Sequence, residues 1–87
     1  MEQFPMLALA YTAIRQDGFY PCVYNSANEE AADAFLSERI GFLDIPRIVE
    51  YVLSRDWKGQ PGDIASILEA DRRAREMAGS YITKIKE

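Results

Sequence analysis

Apolar residues recur along the chain at helical spacing, in several separate runs. Met6, Leu9, Ala10, Ala13 and Ile14 fall on one face of a first segment. Pro5 suits its first position, where a missing N–H costs nothing, and Gly18 stands where a left-handed capping residue is wanted. Phe19 to Tyr24 reads differently. The stretch is aromatic and Pro21 biases Tyr20 away from helix, so it predicts a connector on the core or a very short strand.

Ser26-Ala27-Asn28-Glu29 has the form of a capping box and predicts a second helix starting there. Glu29, Glu30 and Asp33 favour the positive end of that helix's dipole. Ala31, Ala34 and Phe35 follow on one side, and the helix is expected to end before Gly41. Asp44 opens a third segment. There Ile45, Ile48, Val49, Val52 and Leu53 form a full stripe at i, i+3, i+4, i+7 and i+8. Residues 54–62 form the longest loop, and Trp57 within it is expected to cap the bundle end rather than anchor a ligand.

Asp63 can cap a fourth segment, with Ile64, Ile67 and Leu68 expected to face inward. If that helix ran on unbroken, Asp71 would land on its apolar face. A break is therefore expected, with Asp71 capping a last helix whose stripe is Ala74, Met77, Ala78, Tyr81, Ile82 and Ile85. Gly79 inside it costs about 1 kcal/mol relative to Ala. Helices this short are not stable alone in water, so the stripes must pack together. The expected fold is all-α: a compact four-helix bundle-like domain with short antiparallel connections, spanning 1–87 as one unit.

Composition narrows the function. A chain of 87 residues is one small domain, able to bury nearly two thirds of its unfolded surface. It contains no His and one Cys. These counts exclude a His-based catalytic triad, every His-containing metal site, a disulfide framework and any multi-Cys zinc or iron–sulfur site within these residues. No glycine pattern for a nucleotide phosphate is present. Glu29, Glu30 and Asp33 carry the chemistry of a hard-cation site, but a helix N-terminus explains the same acids. Cys22 reads as an inert thiol.

The net charge of −4 lacks the positive field of a nucleic-acid binder. The densest basic group, Arg72, Arg73 and Arg75, has Glu69, Asp71 and Glu76 as neighbours and reads as a solvated helix face. No apolar run approaches the length of a membrane span, and the start lacks a secretory pattern. With its single thiol, the chain is expected in the cytoplasm. Asn25 and Asn28 exceed what one cap needs, and are expected to bind the preceding connector or a neighbouring surface.

The text Asn25-Ser26-Ala27-Asn28-Glu29, then Ala34-Phe35-Leu36, then Ile40-Gly41-Phe42-Leu43-Asp44-Ile45-Pro46 resembles the C-terminal helical domain of 1-deoxy-D-xylulose 5-phosphate reductoisomerase. Phe4-Pro5 with Leu9-Ala10-Tyr11, and Leu68-Glu69-Ala70-Asp71 with Ala74-Arg75, resemble its two ends. Ser26 stands where that family usually has Ala, and Cys22 and Tyr24 make the preceding text more polar and bulkier. The resemblance implies a parent enzyme, usually a homodimer, that uses NADPH and Mg²⁺ or Mn²⁺. Such an enzyme makes 2-C-methyl-D-erythritol 4-phosphate for the non-mevalonate route to isoprenoids. Its NADPH and catalytic domains would precede this one, and their motifs are absent here. The resemblance therefore assigns no catalytic, cofactor or metal residue. It implies that this domain packs against the rest of the enzyme as its partner, and Asn25, Ser26, Asn28, Glu29 and Asp44 are expected, from their places at helix starts, to have structural or interdomain roles. The alternative is a free-standing helical interaction module without enzymatic activity.

Overall fold

The computed structural model describes residues 5–16, 18–55, 57 and 59–86. They form four helices: α1 (Pro5–Gln16), α2 (Tyr20–Leu36), α3 (Asp44–Leu53) and α4 (Ile64–Lys86). No strand occurs among the described residues, and the all-α bundle-like fold is as expected. The pairs Ser26–Asp71 and Glu30–Arg75 advance together along both helices, so α2 and α4 run parallel. Tyr51 packs on Tyr81 and Trp57 meets Arg73, so α3 runs the opposite way. Both α1 and α4 touch α2 and α3. The described residues of α1 and α4 do not meet.

Two expectations about helix limits fail for related reasons. The segment from Phe19 to Tyr24 is not extended: α2 begins at Tyr20, and the Val23 N–H donates to the Phe19 carbonyl at 2.9 Å. Pro21 lies in the first helical turn, where no N–H is required. Val23, Ala27, Ala31 and Ala34 then form one stripe that is wholly buried. Packing of that stripe overrides the local bias against helix before a proline. Ser26 is consequently mid-helix and caps nothing. In the same way, α4 runs through residue 71 without a break.

The other ends follow the sequence closely. Gly18 adopts φ +61° after α1. At α3, the Asp44 carboxylate accepts the Gly41 N–H at 2.9 Å. Asp63 Oδ1 accepts the Ser66 N–H at 2.8 Å, fixing the start of α4.

The core gathers Val23, Ile40, Ile48, Val49, Val52, Trp57 and Ile82, with alanines from α2 and α4. The α3 stripe is inward as expected: Ile48, Val49 and Val52 are buried and Ile45 and Leu53 half-buried. Trp57 closes the bundle end, its indole N–H donating to the Val52 carbonyl at 2.8 Å. On α1, Ala13 is buried but Ile14 is exposed. Ile64, Ile67 and Leu68, expected inward, are also exposed. Ile64 and Ile67 share the helical face of Asp71 and Ala74, but all three residues precede Ala70, the first residue of α4 in the core. Phe35 and Ile85 lie at the rim of the core rather than within it.

Two glycines are expected to respond oppositely to alanine. A Cβ at Gly18 would lie 2.7 Å from the Gly59 carbonyl oxygen, in a left-handed conformation. Gly18→Ala is expected to lower stability by at least about 1–2 kcal/mol. A Cβ at Gly79 would meet nothing within 4 Å, so Gly79→Ala is expected to raise stability by about 1 kcal/mol. Urea midpoints of the two variants check both signs.

Candidate functional site

The polar centre of the domain lies where α2 crosses α4. Ser26 is buried on α2, and its hydroxyl donates to Asp71 Oδ1 on α4. The same hydroxyl lies 3.0 Å from the Cys22 carbonyl of its own helix. It has one proton, and the charged carboxylate is the stronger acceptor. Arg75, one turn beyond Asp71, gathers three carboxylates. Its Nε donates to Asp71 Oδ1 at 2.9 Å, one Nη to Glu30 at 3.0 Å and the other to Glu29 at 2.7 Å.

Electrostatics follow from these contacts. The Ser26 hydroxyl holds the Asp71 carboxyl below its ordinary range, and Arg75 adds to this, against the opposing effect of burial. Arg75 is pushed further toward its charged form, first by Glu29, then by Glu30 and Asp71. Among the described residues, no buried side-chain nitrogen or oxygen lacks a partner.

Of the five residues singled out in the sequence, the structure brings Ser26 and Glu29 into this cluster. Asn25 stands beside it, its Nδ2 3.5 Å from Glu29 on the exposed side. Asn28 is half-buried on α2 and enters none of the hydrogen bonds among the described residues. Asp44 is elsewhere, bonded to Gly41 N–H and 3.8 Å from Arg47 at the start of α3. The capping box itself does not form, because Ser26 and Glu29 lie six and nine residues inside α2. Sequence reasoning missed Asp71 and Arg75 as partners of α2. The signal was present: an acid on the apolar face of an unbroken helix needs a buried partner, and Ser26 is that partner.

The remaining charges are engaged close to home. Arg72 pairs with Glu69 and Glu76 at 2.6 Å each, and its guanidinium holds Glu69 below the usual carboxylate range. Arg73 lies over the Trp57 ring, 4.9 Å from its centroid. The basic run is thus a helix face tied to its own acids and an indole. Glu29 and Glu30, the acids that resembled a hard-cation site, point at Arg75. Among the described residues, no group of three or more His, Cys, Asp or Glu side chains is arranged to hold a metal ion. No described helix is long and apolar enough to cross a membrane.

Residues 1–77 match the family described as DXP reductoisomerase C-terminal domain. The chain belongs to that family. Its relatives include the 1-deoxy-D-xylulose 5-phosphate reductoisomerase of Heliobacterium modesticaldum, 47% identical across 100% of this chain and 22% of that protein. The reductoisomerase of Aromatoleum aromaticum is 50% identical over 92% of this chain and 20% of its own length. The structure of the Zymomonas mobilis reductoisomerase in complex with NADPH superposes with a TM-score of 0.88. It is 41% identical, covering 93% of this chain and 21% of that one. The reductoisomerase-type domain described here therefore spans about a fifth of the length of the curated relatives it matches.

Two outcomes test the cluster. Ser26→Ala removes the bond to Asp71 while Arg75 still solvates that carboxylate, so a loss of about 1 kcal/mol is expected in urea unfolding. An unchanged midpoint would show that the bond contributes nothing. Asp71 stabilises the fold in its charged form, because its folded pKa lies below the unfolded one. The advantage of the natural protein over Asp71→Asn is therefore expected in full near neutral pH. It should shrink progressively below about pH 5. Thermal midpoints of both proteins across that range give the comparison.

Proposed function

We propose that this chain serves as the non-catalytic C-terminal domain of a 1-deoxy-D-xylulose 5-phosphate reductoisomerase. In this reading 1–87 is a single helical domain, and the NADPH and catalytic domains lie in the rest of the polypeptide. The complete enzyme would convert 1-deoxy-D-xylulose 5-phosphate to 2-C-methyl-D-erythritol 4-phosphate, with NADPH and Mg²⁺ or Mn²⁺. It would act in the cytoplasm as a homodimer, in isoprenoid synthesis by the non-mevalonate route.

The observation that carries this reading is the family match over residues 1–77, with relatives about five times longer. The side-chain chemistry supports it. The reactive-looking acids of α2 are directed at Arg75 and the one buried hydroxyl at Asp71. We assign this domain no cofactor, metal or catalytic residue. Its contribution is a rigid body of fixed shape. Ser26, Glu29, Glu30, Asp71 and Arg75 supply that rigidity by locking α2 to α4. Asn25 and Asn28 lie on α2 itself and remain our candidates for contact with a neighbouring domain, while Asp44 holds the entry to α3.

A chimaera tests the proposal. In the Zymomonas mobilis enzyme, the region matching this chain is deleted and, separately, replaced by it. Substrate-dependent NADPH oxidation is then measured. The deletion is expected to abolish activity and the replacement to restore it to within about tenfold of the parent. A folded chimaera as inactive as the deletion would overturn the reading.

A further inference from the structure

The turn joining α2 to α3 carries an unusual amount of exposed hydrocarbon. Leu36, Phe42 and Leu43 are 75%, 68% and 73% exposed, and Phe35 is 37% exposed. They form one surface, because the Phe35 and Phe42 rings meet edge to face with centroids 5.7 Å apart. Isolated exposed leucines need no explanation, but four large apolar side chains within nine residues do.

This corner is also built rigidly. The Arg39 N–H donates to the Ala34 carbonyl at 2.8 Å, and Glu38 takes the turn with φ 62°. Gly41 is bonded to the Asp44 carboxylate, and buried Ile40 pins the centre of the turn to the core. Exposed Glu38, Arg39 and Arg47 lie close by in sequence. Exposed hydrocarbon beside charged residues, held by a fixed backbone, suits a docking surface.

Topology indicates what docks there. The described helices α1 and α2 are in contact and are joined by residues 17–19, so they run antiparallel. The start of α1 therefore lies at the end of the bundle where α2 finishes and the corner projects. In this family the domain is C-terminal, and about four-fifths of a relative's length lies outside the matched part. That polypeptide joins at α1, beside the corner. The exposed stripe of Ile64, Ile67 and Leu68 lies at the opposite end, with the start of α4.

We propose that the Phe35–Leu36–Phe42–Leu43 corner is the surface on which the preceding part of the same polypeptide packs. The occupant is an apolar face of the domain next in sequence, seated on the corner within the subunit. This inference rests on the reductoisomerase reading above and names the contact by which the domain is held.

The test substitutes Leu36→Gln and Leu43→Gln together, both in this chain alone and in the chimaera. Neither side chain is buried here, so the chain alone is expected to keep its thermal midpoint within about 2 °C. The chimaera is expected to melt several degrees lower than its unsubstituted form. Its junction should also be cut at least tenfold faster by a low concentration of protease. A substituted chimaera that melts and resists cleavage like the unsubstituted one would overturn the inference. So would a chain that forms a dimer at micromolar concentration which the substitutions dissolve, since the occupant would then be a second copy. An equal loss of midpoint in the chain alone would place the corner's role inside the domain and overturn it as well. Failure of the unsubstituted chimaera to work is a different result, and counts against the reading of function.

Discussion

The closeness of α2 to α4 is the constraint on which the structure depends. Ala27, Ala31 and Ala34 on one helix and Ala70, Ala74 and Ala78 on the other are buried in a single core. Alanine leaves no long side chain to hold two helices apart, and it loses no rotamer freedom on burial. The result is a seam between parallel helices, thin enough for a hydroxyl on one to reach a carboxylate on the other. A larger side chain at any of these positions would force the helices apart. It would take Ser26 away from Asp71 and Arg75 away from Glu29 and Glu30.

That arrangement divides labour between two kinds of interaction. The alanines and the aliphatic stripe of α3 supply burial, which is not directional. The Ser26–Asp71–Arg75 group supplies direction. A carboxylate on an otherwise apolar seam is costly in every register except the one that presents it with donors. Ion pairs at partial exposure add little stability of their own. Their value here lies in fixing how α4 is rotated and how far it has slid along α2.

Much of this was legible from residue order. The α3 stripe, Pro5 at the start of α1, the left-handed Gly18 and the Asp63 cap each depend on neighbours within a turn. Local patterns report such features faithfully. The sequence misled where a local signal competed with a distant one. Ser26 to Glu29 has every residue a cap needs, yet Ser26 is mid-helix because Val23 and Ala27 belong to one buried stripe. Asp71 looked like a second cap for the same reason. Each of these two residues is the other's explanation, and they stand 45 positions apart. No window of sequence short enough to show a period contains both. The family-like text of residues 25–46 did carry identity, since it combines turn, cap and core demands that few other folds share.

The parallel pairing of α2 with α4 also sets an order of assembly. A hairpin of neighbouring helices closes over a few residues, but the seam must close over the whole of α3 and its flanking loops, which costs more chain entropy. A chain emerging from the ribosome can pair α1, α2 and α3 while the alanine face of α2 still lacks its cover. Only when α4 arrives is that face hidden and Ser26 given its acceptor. The domain's final element is thus its closing one, and a chain stopped before α4 would expose apolar surface that quality control is equipped to notice.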